Sequence, residues 1–470
     1  MKTTFLRAVK LLGAAGVFIA IVYHSTSAQA PAEEYTMRRK TVLSKLDPNS
    51  VFVVRGSVTG SSERVDLNFY YLTGLTDPNG ALIIYKPESA AQPPVVGIFT
   101  GRSQQTQAPQ TGRQSGAANI FRGNISFAQQ QTQTRPAAQP AAPPELREST
   151  LPADQFQVQL DNAILLKPAV LYMNISRSQG LRTPLTPDEE LLRAARDRSI
   201  TLEVKTIDPI IIAMRRIKTP YEIKTLQTAI DITGEAIKEA MRSIEAGMYE
   251  YQLQAIIEYV YAFNGSKKVG FSTICGSGPN SLNLHWSQND RLMQNGDVVV
   301  VDIGADYNGY TADITRTIPI SGTFTKRQKE IYEIVLSAQE AARTAMKPGG
   351  TWREVNDAAN KALSDGLIRI GLIKDPQELR KYYIHGLGHT IGLTVHDVGN
   401  MNTLDSGLIF TIEPGLYIPE ENTGIRIEDD YLITETGAIR LSENVPRTAA
   451  DVEAMCKEKG LDISRYKIKK

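Results

Sequence analysis

The sequence predicts an α+β protein with more than one domain. Its 470 residues are enough for two or three domains. Short apolar runs separated by Gly or Pro fill residues 40–100, as in the strands of a small α/β domain. Long segments with helical spacing and further strand-like runs follow residue 215. We therefore predict a smaller α/β domain over residues 31–214 and a larger domain over residues 215–470.

The composition is that of an ordinary globular protein, with 41% hydrophobic and 22% charged residues. A formal net charge of +1 gives no strong field for an anionic polymer, so we expect no nucleic-acid partner. Cys275 and Cys456 are too few for a disulfide framework. Whether they pair is open, and two free thiols are the favoured interpretation.

The N-terminus has the pattern of a signal peptide over residues 1–30. A basic start precedes the apolar run LLGAAGVFIAIVY, which is short for a membrane span. Ala28-Gln29-Ala30 offers a cleavage pattern after Ala30, and cleavage after Ala28 is the alternative because Pro31 follows. We expect an exported chain, periplasmic or secreted, with no stable membrane partner after cleavage. The alternative is an uncleaved N-terminal membrane anchor.

Four strands are predicted in the first domain: VFVVRG, FYYLTGL, GALIIYK and PVVGIFTG. Residues 103–144 hold ten glutamines and no acidic residue, which indicates a low-complexity insertion that cannot form a core. TPDEELLRAARDRS has the acidic first turn of a helix. LEVKTIDPIIIAMR is interpreted as a strand and a crossing segment.

Four helices are predicted in the second domain. The first begins after Thr219 with a proline near its start, and YEYQLQAIIEYVYAFNG is the second. The others cover residues 325–346 and 352–371. Strands are predicted in VVVVDIGADYNGYTADITRTIPI, LIFTIEPGLYI and GIRIEDDYLITETG.

HGLGHTIGLTVHD, residues 385–397, concentrates three of the five histidines of the chain. Zinc-protease helices carry Glu after the first His, in H-E-x-x-H, whereas Gly386 follows His385 here. Glycine at this density does not favour a helix. The stretch, with His389 and His396, is therefore predicted to be a strand or loop beside a ligand.

Asp302 and Asp313 flank a turn. A run of four valines ends at Asp302, and an aspartate there is costly unless it is paired or bound to metal. Asn308-Gly309 favours a hairpin that brings the two carboxylates together. A divalent cation removes their repulsion, so we favour metal binding. An aspartate in a polar turn is the alternative, and it suits Asp306.

Glu413 lies in the apolar run TIEPGLYI, and Glu428 in the alternating run I-R-I-E. A strand places Arg426 and Glu428 on one face. Solvated charges on a strand face are the alternative for each glutamate alone. One imidazole with four carboxylates favours Mn²⁺, with Co²⁺ or Zn²⁺ as alternatives, and such a site suits amide hydrolysis.

The order D-x10-D, H-G-x-G-H-x6-H-D, T-I-E-P-G and G-I-R-I-E-D-D resembles the Xaa-Pro aminopeptidase (aminopeptidase P) branch of the pita-bread metallopeptidases, family M24. FYYLTGLTDPNGALIIY is similar to the N-terminal domain of that branch. The resemblance spans roughly residues 36–100 and 210–456. It implies a curved, mainly antiparallel sheet flanked by two pairs of helices, after the smaller α/β domain.

The resemblance also implies roles for the motif residues. Two divalent metal ions would be held, with Asp313 and Glu428 bridging them and Glu413 also moving protons. The implied metal ligands are Asp302, Asp313, His389, Glu413 and Glu428. The implied substrate-binding residues are His285, His385, His396 and Arg426, and the three histidines would also stabilise the tetrahedral intermediate.

The implied activity is hydrolysis of the N-terminal Xaa-Pro bond of a proline-containing peptide by a hydroxide that bridges the two metals. A prolidase, which cleaves only Xaa-Pro dipeptides, is the alternative. A non-enzymatic pita-bread peptide-binding protein and a creatinase-like amidinohydrolase are disfavoured, because relatives of these kinds lack the ligand set. The resemblance further implies a homo-oligomer, a dimer or tetramer. The 103–144 insertion and a short segment between His396 and Glu413 depart from the family pattern.

Overall fold

The computed structural model describes residues 31–57, 64–101, 119–121, 145–175 and 184–462. The predicted signal peptide lies outside these residues. So does the predicted 103–144 insertion, apart from residues 119–121. Among the described residues, no helix is long and apolar enough to cross a membrane.

The N-terminal part of the chain is built on a six-stranded mixed sheet. Its strands are β1 Ser50–Arg55, β2 Ala81–Lys86, β3 Val95–Thr100, β4 Arg147–Pro152, β5 Val170–Tyr172 and β6 Glu203–Lys205. They lie in the order β4-β3-β2-β1-β5-β6. The β1–β2 and β2–β3 pairs are antiparallel, whereas β4, β5 and β6 join in parallel.

Helices cover both faces of this sheet. They are α1 Ala32–Lys45, α2 Leu67–Thr73, α3 Phe156–Leu165, α4 Pro187–Asp197 and α5 Asp208–Arg216. Phe52 and Val54 of β1 belong to the core with α1, α2 and α5. The alternate residues Val51 and Val53 belong to the core with α3 and α4. The predicted α/β layering of this part is therefore correct.

One predicted strand is wrong. FYYLTGL falls in helix α2, although aromatic residues favour strands. The Asp66 carboxylate caps the helix start by accepting hydrogen bonds from the N–H groups of Asn68 and Phe69, at 2.8 and 3.0 Å. Gly74, at φ 72°, ends the helix in the left-handed conformation. The crossing segment expected after β6 is likewise the helix α5.

The C-terminal part contains short antiparallel strands. They are β7 Lys268–Val269, β8 Ile274–Ser277, β9 Val298–Ile303, β10 Ala305–Tyr307, β11 Tyr310–Thr311, β12 Ile314–Pro319, β13 Ile409–Ile412, β14 Gly415–Ile418, β15 Thr423–Arg426, β16 Asp429–Thr434 and β17 Gly437–Arg440. They pair in the orders β11-β10-β7, β12-β9-β8, β13-β16-β17 and β14-β15.

The helices of this part form the two pairs that the resemblance implies. They are α6 Pro220–Ser243, α7 Glu250–Phe263, α8 Lys326–Ala345, α9 Trp352–Arg369 and the short α10 Ala449–Met455. Helix α6 packs on α7, and α8 packs on α9. Thr219, Thr325 and Thr351 begin α6, α8 and α9 with capping boxes, which explains why the predicted helix starts are correct.

The predicted hairpin between Asp302 and Asp313 is present. Asn308 and Gly309 have φ values of 51° and 82° and connect β10 to β11, in which Tyr307 pairs with Tyr310. A tight two-residue hairpin turn of this type requires a positive φ at both central residues. Strand β9 is buried along its whole length, so the carboxylate of Asp302 is carried into the interior.

Side chains from the first part of the chain contact the second part close to the histidine-rich stretch. Arg215 donates to Asn68 at 2.8 Å and also forms an ion pair with the buried Asp397. Tyr70 donates its hydroxyl to the Asn308 carbonyl at 2.7 Å. The proposed boundary near residue 215 stays a prediction. Cys275 and Cys456 are both free, as the favoured interpretation expected.

Candidate active site

The histidine-rich stretch is a loop, as predicted, and it is fastened to β13. The His389 N–H donates to Oγ1 of Thr411 at 3.1 Å, and the Thr411 N–H donates back to the His389 carbonyl at 2.9 Å. A Cβ atom on Gly388 would lie only 1.9 Å from the Thr411 carbonyl oxygen. Glycine is therefore required here, because the loop backbone must approach the strand closely.

The predicted site residues surround one cavity of about 370 Å³. Each carboxylate comes from a different place in the antiparallel framework: the end of β9, the connection into β12, the end of β13 and the β15–β16 connection. All nine side chains are lining residues: Asp302, Asp313, His389, Glu413, Glu428, His285, His385, His396 and Arg426.

The carboxylates are crowded and incompletely hydrogen-bonded. Oδ1 of Asp302, Oδ1 of Asp313 and Oε1 of Glu428 are buried and have no hydrogen-bond partner in the part of the chain that the structure describes. Burial, followed by the charge of Glu428, raises the pKa of Asp313 well above its usual range. Burial also raises the pKa of Glu413 to about 8, although the charge of Arg426 opposes the shift. Unpaired buried carboxylates of this kind are costly without a cation.

The donor set fits divalent cations. One ligand atom each from Asp313, His389 and Glu428 lie within 4.8 Å of one another. Nε2 of His389 is also 3.6 Å from Oε1 of Glu413. Carboxylate oxygens and a neutral imidazole are ligands of Mn²⁺, Co²⁺ and Zn²⁺. A cation between these atoms would offset the burial and the mutual repulsion that raise the carboxyl pKa values.

The tautomer and the charge of His389 suit a metal ligand. Its Nδ1 lies 3.2 Å from the Thr390 carbonyl oxygen, which can only accept, so Nδ1 carries the hydrogen and Nε2 keeps its lone pair. Burial, followed by the neighbouring His396, lowers its pKa to about 4. The ring is thus neutral near pH 7, as metal binding requires.

The comparisons with known proteins agree with this geometry. Residues 224–435 match metallopeptidase family M24. The Xaa-Pro aminopeptidase of Escherichia coli (strain K12) is 32% identical over 90% of this chain and 97% of its own length. The chain belongs to family M24. A zinc-substituted E. coli aminopeptidase P, solved with product, superposes with a TM-score of 0.73, at 30% identity over 91% of this chain and 99% of that one.

A second type of relative, a dipeptidase, matches less of the chain. The Xaa-Pro dipeptidase of Pyrococcus furiosus is 37% identical, but over 58% of this chain and 76% of its own length. The M24 pita-bread fold accounts for the antiparallel strands and the two helix pairs of the C-terminal part. The predicted fold class is confirmed, whereas the individual residue roles stay predictions.

Sequence reasoning missed Tyr417, which links two predicted members of the M24 site. Its hydroxyl accepts from Nη1 of Arg426 at 2.7 Å and lies 2.9 Å from Nε2 of His385. Nδ1 of His385 faces the Gly386 carbonyl at 2.7 Å, so Nε2 accepts the tyrosine proton. The signal was available, because Tyr417 follows Glu413 in the same apolar run.

Glu428 is buried, so the solvated-strand alternative is wrong for it, and its neighbour Arg426 is buried as well. Nη2 of Arg426 lies 2.6 Å from Oδ2 of Asp302 and therefore fixes one oxygen of that carboxylate. Thr315, which sequence reasoning also missed, donates to Oε2 of Glu428 at 2.7 Å. These contacts leave the second oxygen of each acid without a hydrogen-bond partner among the described residues. They hold the ligand atoms in place before a cation binds.

Proposed function

We propose that this chain is an aminopeptidase that removes the N-terminal residue of peptides with proline in second position, with the help of divalent cations. The observation that carries the proposal is the single cavity. It gathers four carboxylates, four histidines and an arginine in a chain that matches the E. coli Xaa-Pro aminopeptidase over 90% of its length.

We propose that the site binds two divalent metal ions, with Mn²⁺ as the preferred ion and Co²⁺ or Zn²⁺ as alternatives. Hard oxygen donors outnumber nitrogen by four to one in the proposed set, which supports manganese. When bound, such cations supply Lewis acidity and lower the pKa of water. The residues that would hold them are Asp302, Asp313, His389, Glu413 and Glu428.

Glu413 is the proposed proton carrier. Its Oε1 and Oε2 face His389 and His385 at 3.6 and 3.7 Å, so the carboxyl group lies between the proposed ligand and the substrate side of the cavity. A carboxylate at this position can take a proton from the attacking water and pass it on as a general base and acid. The prolyl nitrogen must receive a proton before it can leave, and Glu413 would deliver it.

The remaining histidines and Arg426 would bind and orient the peptide. Tyr417 and the Gly386 carbonyl fix the His385 ring, and the His396 ring packs edge-on against His389 with centroids 4.2 Å apart. His285 lines the same cavity. Preorganised polar groups around the carbonyl oxygen favour the charge that develops during amide hydrolysis.

A prolidase is the second candidate function, supported by the match to the Pyrococcus furiosus dipeptidase. The match to the E. coli aminopeptidase favours the aminopeptidase function, because this match extends through the six-stranded N-terminal sheet. A pita-bread protein that only binds peptides would have no need of the complete set of acids. We also propose that the protein is exported, periplasmic or secreted, and that it forms a homo-oligomer.

The test compares three substrates by mass spectrometry: an Xaa-Pro-Xaa tripeptide, the same tripeptide with alanine for proline, and the Xaa-Pro dipeptide. The proposal expects release of the first residue from the proline tripeptide, with the alanine tripeptide cleaved far more slowly. Cleavage of the dipeptide alone would establish a prolidase. Three intact peptides would contradict both activities.

A further inference from the structure

Glu250, the first residue of α7, is a fully buried carboxylate outside the cavity. It accepts hydrogen bonds from backbone and side-chain donors that all belong to residues 277–291. The donors are the N–H and Oγ of Ser277 at 2.7 and 2.6 Å, Nδ2 of Asn280 at 3.1 Å, the indole N–H of Trp286 at 2.9 Å and the N–H of Arg291 at 3.1 Å.

The same segment carries Leu284 and His285, which line the cavity. The His285 side chain is exposed, and its ring makes no hydrogen bond to any residue that the structure describes. Its backbone N–H bonds only within the segment, to Oδ1 of Asn283 at 3.2 Å. The hydrogen bonds therefore fix the backbone that carries this ring and not the ring itself.

The segment is fastened on two sides. On the side away from the cavity, Glu250 accepts hydrogen bonds from both ends of the segment and from the indole N–H of Trp286, the residue after His285. On the cavity side Arg426 donates to the Leu284 carbonyl at 3.4 Å, and Gly424 donates to Oγ of Ser281 at 2.7 Å. A buried carboxylate with this many donors holds its partners in one arrangement, because each donor loses a strong acceptor if it moves.

We propose that Glu250 is a positioning residue that fixes His285 against the bound peptide through Trp286 and the ends of the 277–291 segment. The proposal rests on the proposed peptidase function. It assigns no contact between Glu250 and the substrate, so the effect of Glu250 on turnover must pass through His285.

A double-mutant cycle tests this coupling. E250Q keeps the size of the side chain but places an amide NH₂ against donors, and W286F removes one donor while Glu250 remains. Each is made in the wild-type and in the H285A background, and kcat and KM are measured on the Xaa-Pro-Xaa tripeptide. The fluorescence of Trp286, one of two tryptophans in the chain, reports segment order without activity.

We expect E250Q and W286F to lower kcat about tenfold in the wild-type background and less than about twofold in the H285A background, which is the coupling expected of residues in one network. KM should change little, and E250Q should shift the Trp286 emission. Equal losses in both backgrounds would mean a general structural role and would overturn the proposal.

Unchanged kcat in E250Q and W286F, or wild-type kcat in H285A, would also overturn the proposal. If E250Q does not fold, the W286F cycle gives the answer alone. A wild-type chain that leaves the tripeptide intact would contradict the proposed function itself, which separates that failure from a failure of the Glu250 assignment.

Discussion

Nε2 of His389 lies 3.5 Å from Oδ2 of Asp313 inside the cavity. The imidazole is neutral near pH 7, and its Nδ1 hydrogen is directed to the Thr390 carbonyl. The two facing atoms are thus both electron-pair donors, which is unfavourable unless a proton or a cation lies between them. This relationship is the basis of the metallopeptidase account.

Replacement of Asp313 by alanine should abolish peptidase activity while the fold is retained. We expect kcat/KM to fall by more than about 100-fold, because even outer-shell partners of metal sites contribute 10–100-fold. The metal content of the purified variant should fall as well. Kinetics and elemental analysis are the measurements.

Asp365→Ala is the matched control for this variant. That carboxylate is exposed on α9, pairs with Lys361 at 2.5 Å and is not among the residues that line the cavity. We expect wild-type turnover and metal content. An Asp313→Ala protein that keeps wild-type turnover would contradict the metal assignment.

Metal-dependent stabilisation should increase between pH 6.5 and 8. Without cations, burial raises the pKa of Glu413 to about 8, and the pKa values of Asp313 and Glu428 are also raised. The folded state then binds more protons than the unfolded state, so this contribution to stability is lost as pH rises through the folded pKa. Bound cations remove this increase in the carboxyl pKa values.

The measurement is the unfolding midpoint of chelator-treated and Mn²⁺-loaded protein across that range. Below pH 6.5, His385 and His389, whose pKa values are lowered to about 4, contribute with the opposite sign, so the window starts there. The gain in Tm on adding Mn²⁺ should be larger at pH 8 than at pH 6.5. A gain that shrinks with pH would contradict the carboxylate cluster as the binding site.

Tyr417→Phe should lower kcat/KM about tenfold without loss of metal. The change removes the hydroxyl between Arg426 and His385, and a hydrogen bond to a charged group contributes about 1.5–3 kcal/mol. Tyr259→Phe is the control, because Tyr259 is exposed on α7. Equal activity of the two variants would mean that the Tyr417 hydroxyl does not orient His385.

Glu413→Gln separates metal binding from proton transfer. The amide keeps an oxygen ligand but cannot carry a proton, so we expect kcat to fall by about 10²–10⁴ with much of the metal retained. Glu420→Gln, on the exposed turn after β14, should behave as wild type. Full turnover in Glu413→Gln, measured under saturating Mn²⁺, would exclude Glu413 as the proton carrier.

The sequence was sufficient to find the site because its residues lie in short motifs. The Asn308-Gly309 hairpin could be predicted from turn chemistry, and it sets the approach of Asp302 and Asp313. The glycines of the histidine-rich stretch predict a loop, and one of them, Gly388, is required by the close approach to Thr411. Local chemistry therefore singled out eight of the nine predicted residues that line the cavity, whereas His285 was implied only by the family resemblance.

The strand prediction for helix α2 is wrong because the caps at Asp66 and Gly74 outweigh the strand preference of its aromatic residues.

Contacts between distant segments are not predictable in the same way as the short motifs. Tyr417 and Glu250 act through partners up to 41 residues away in the chain, such as Arg291 for Glu250. No periodicity in one segment signals such pairs, because the fold alone brings them together.

The most direct test of the account is cation-dependent hydrolysis. Metal-stripped protein is incubated with the Xaa-Pro-Xaa tripeptide, with and without Mn²⁺, and the products are identified by mass spectrometry. The account predicts an intact peptide without the cation and release of the free N-terminal residue with it, and no release from the Asp313→Ala variant in either condition. Equal hydrolysis by metal-stripped and Mn²⁺-loaded protein, or no hydrolysis in the presence of any of Mn²⁺, Co²⁺ and Zn²⁺, would contradict it.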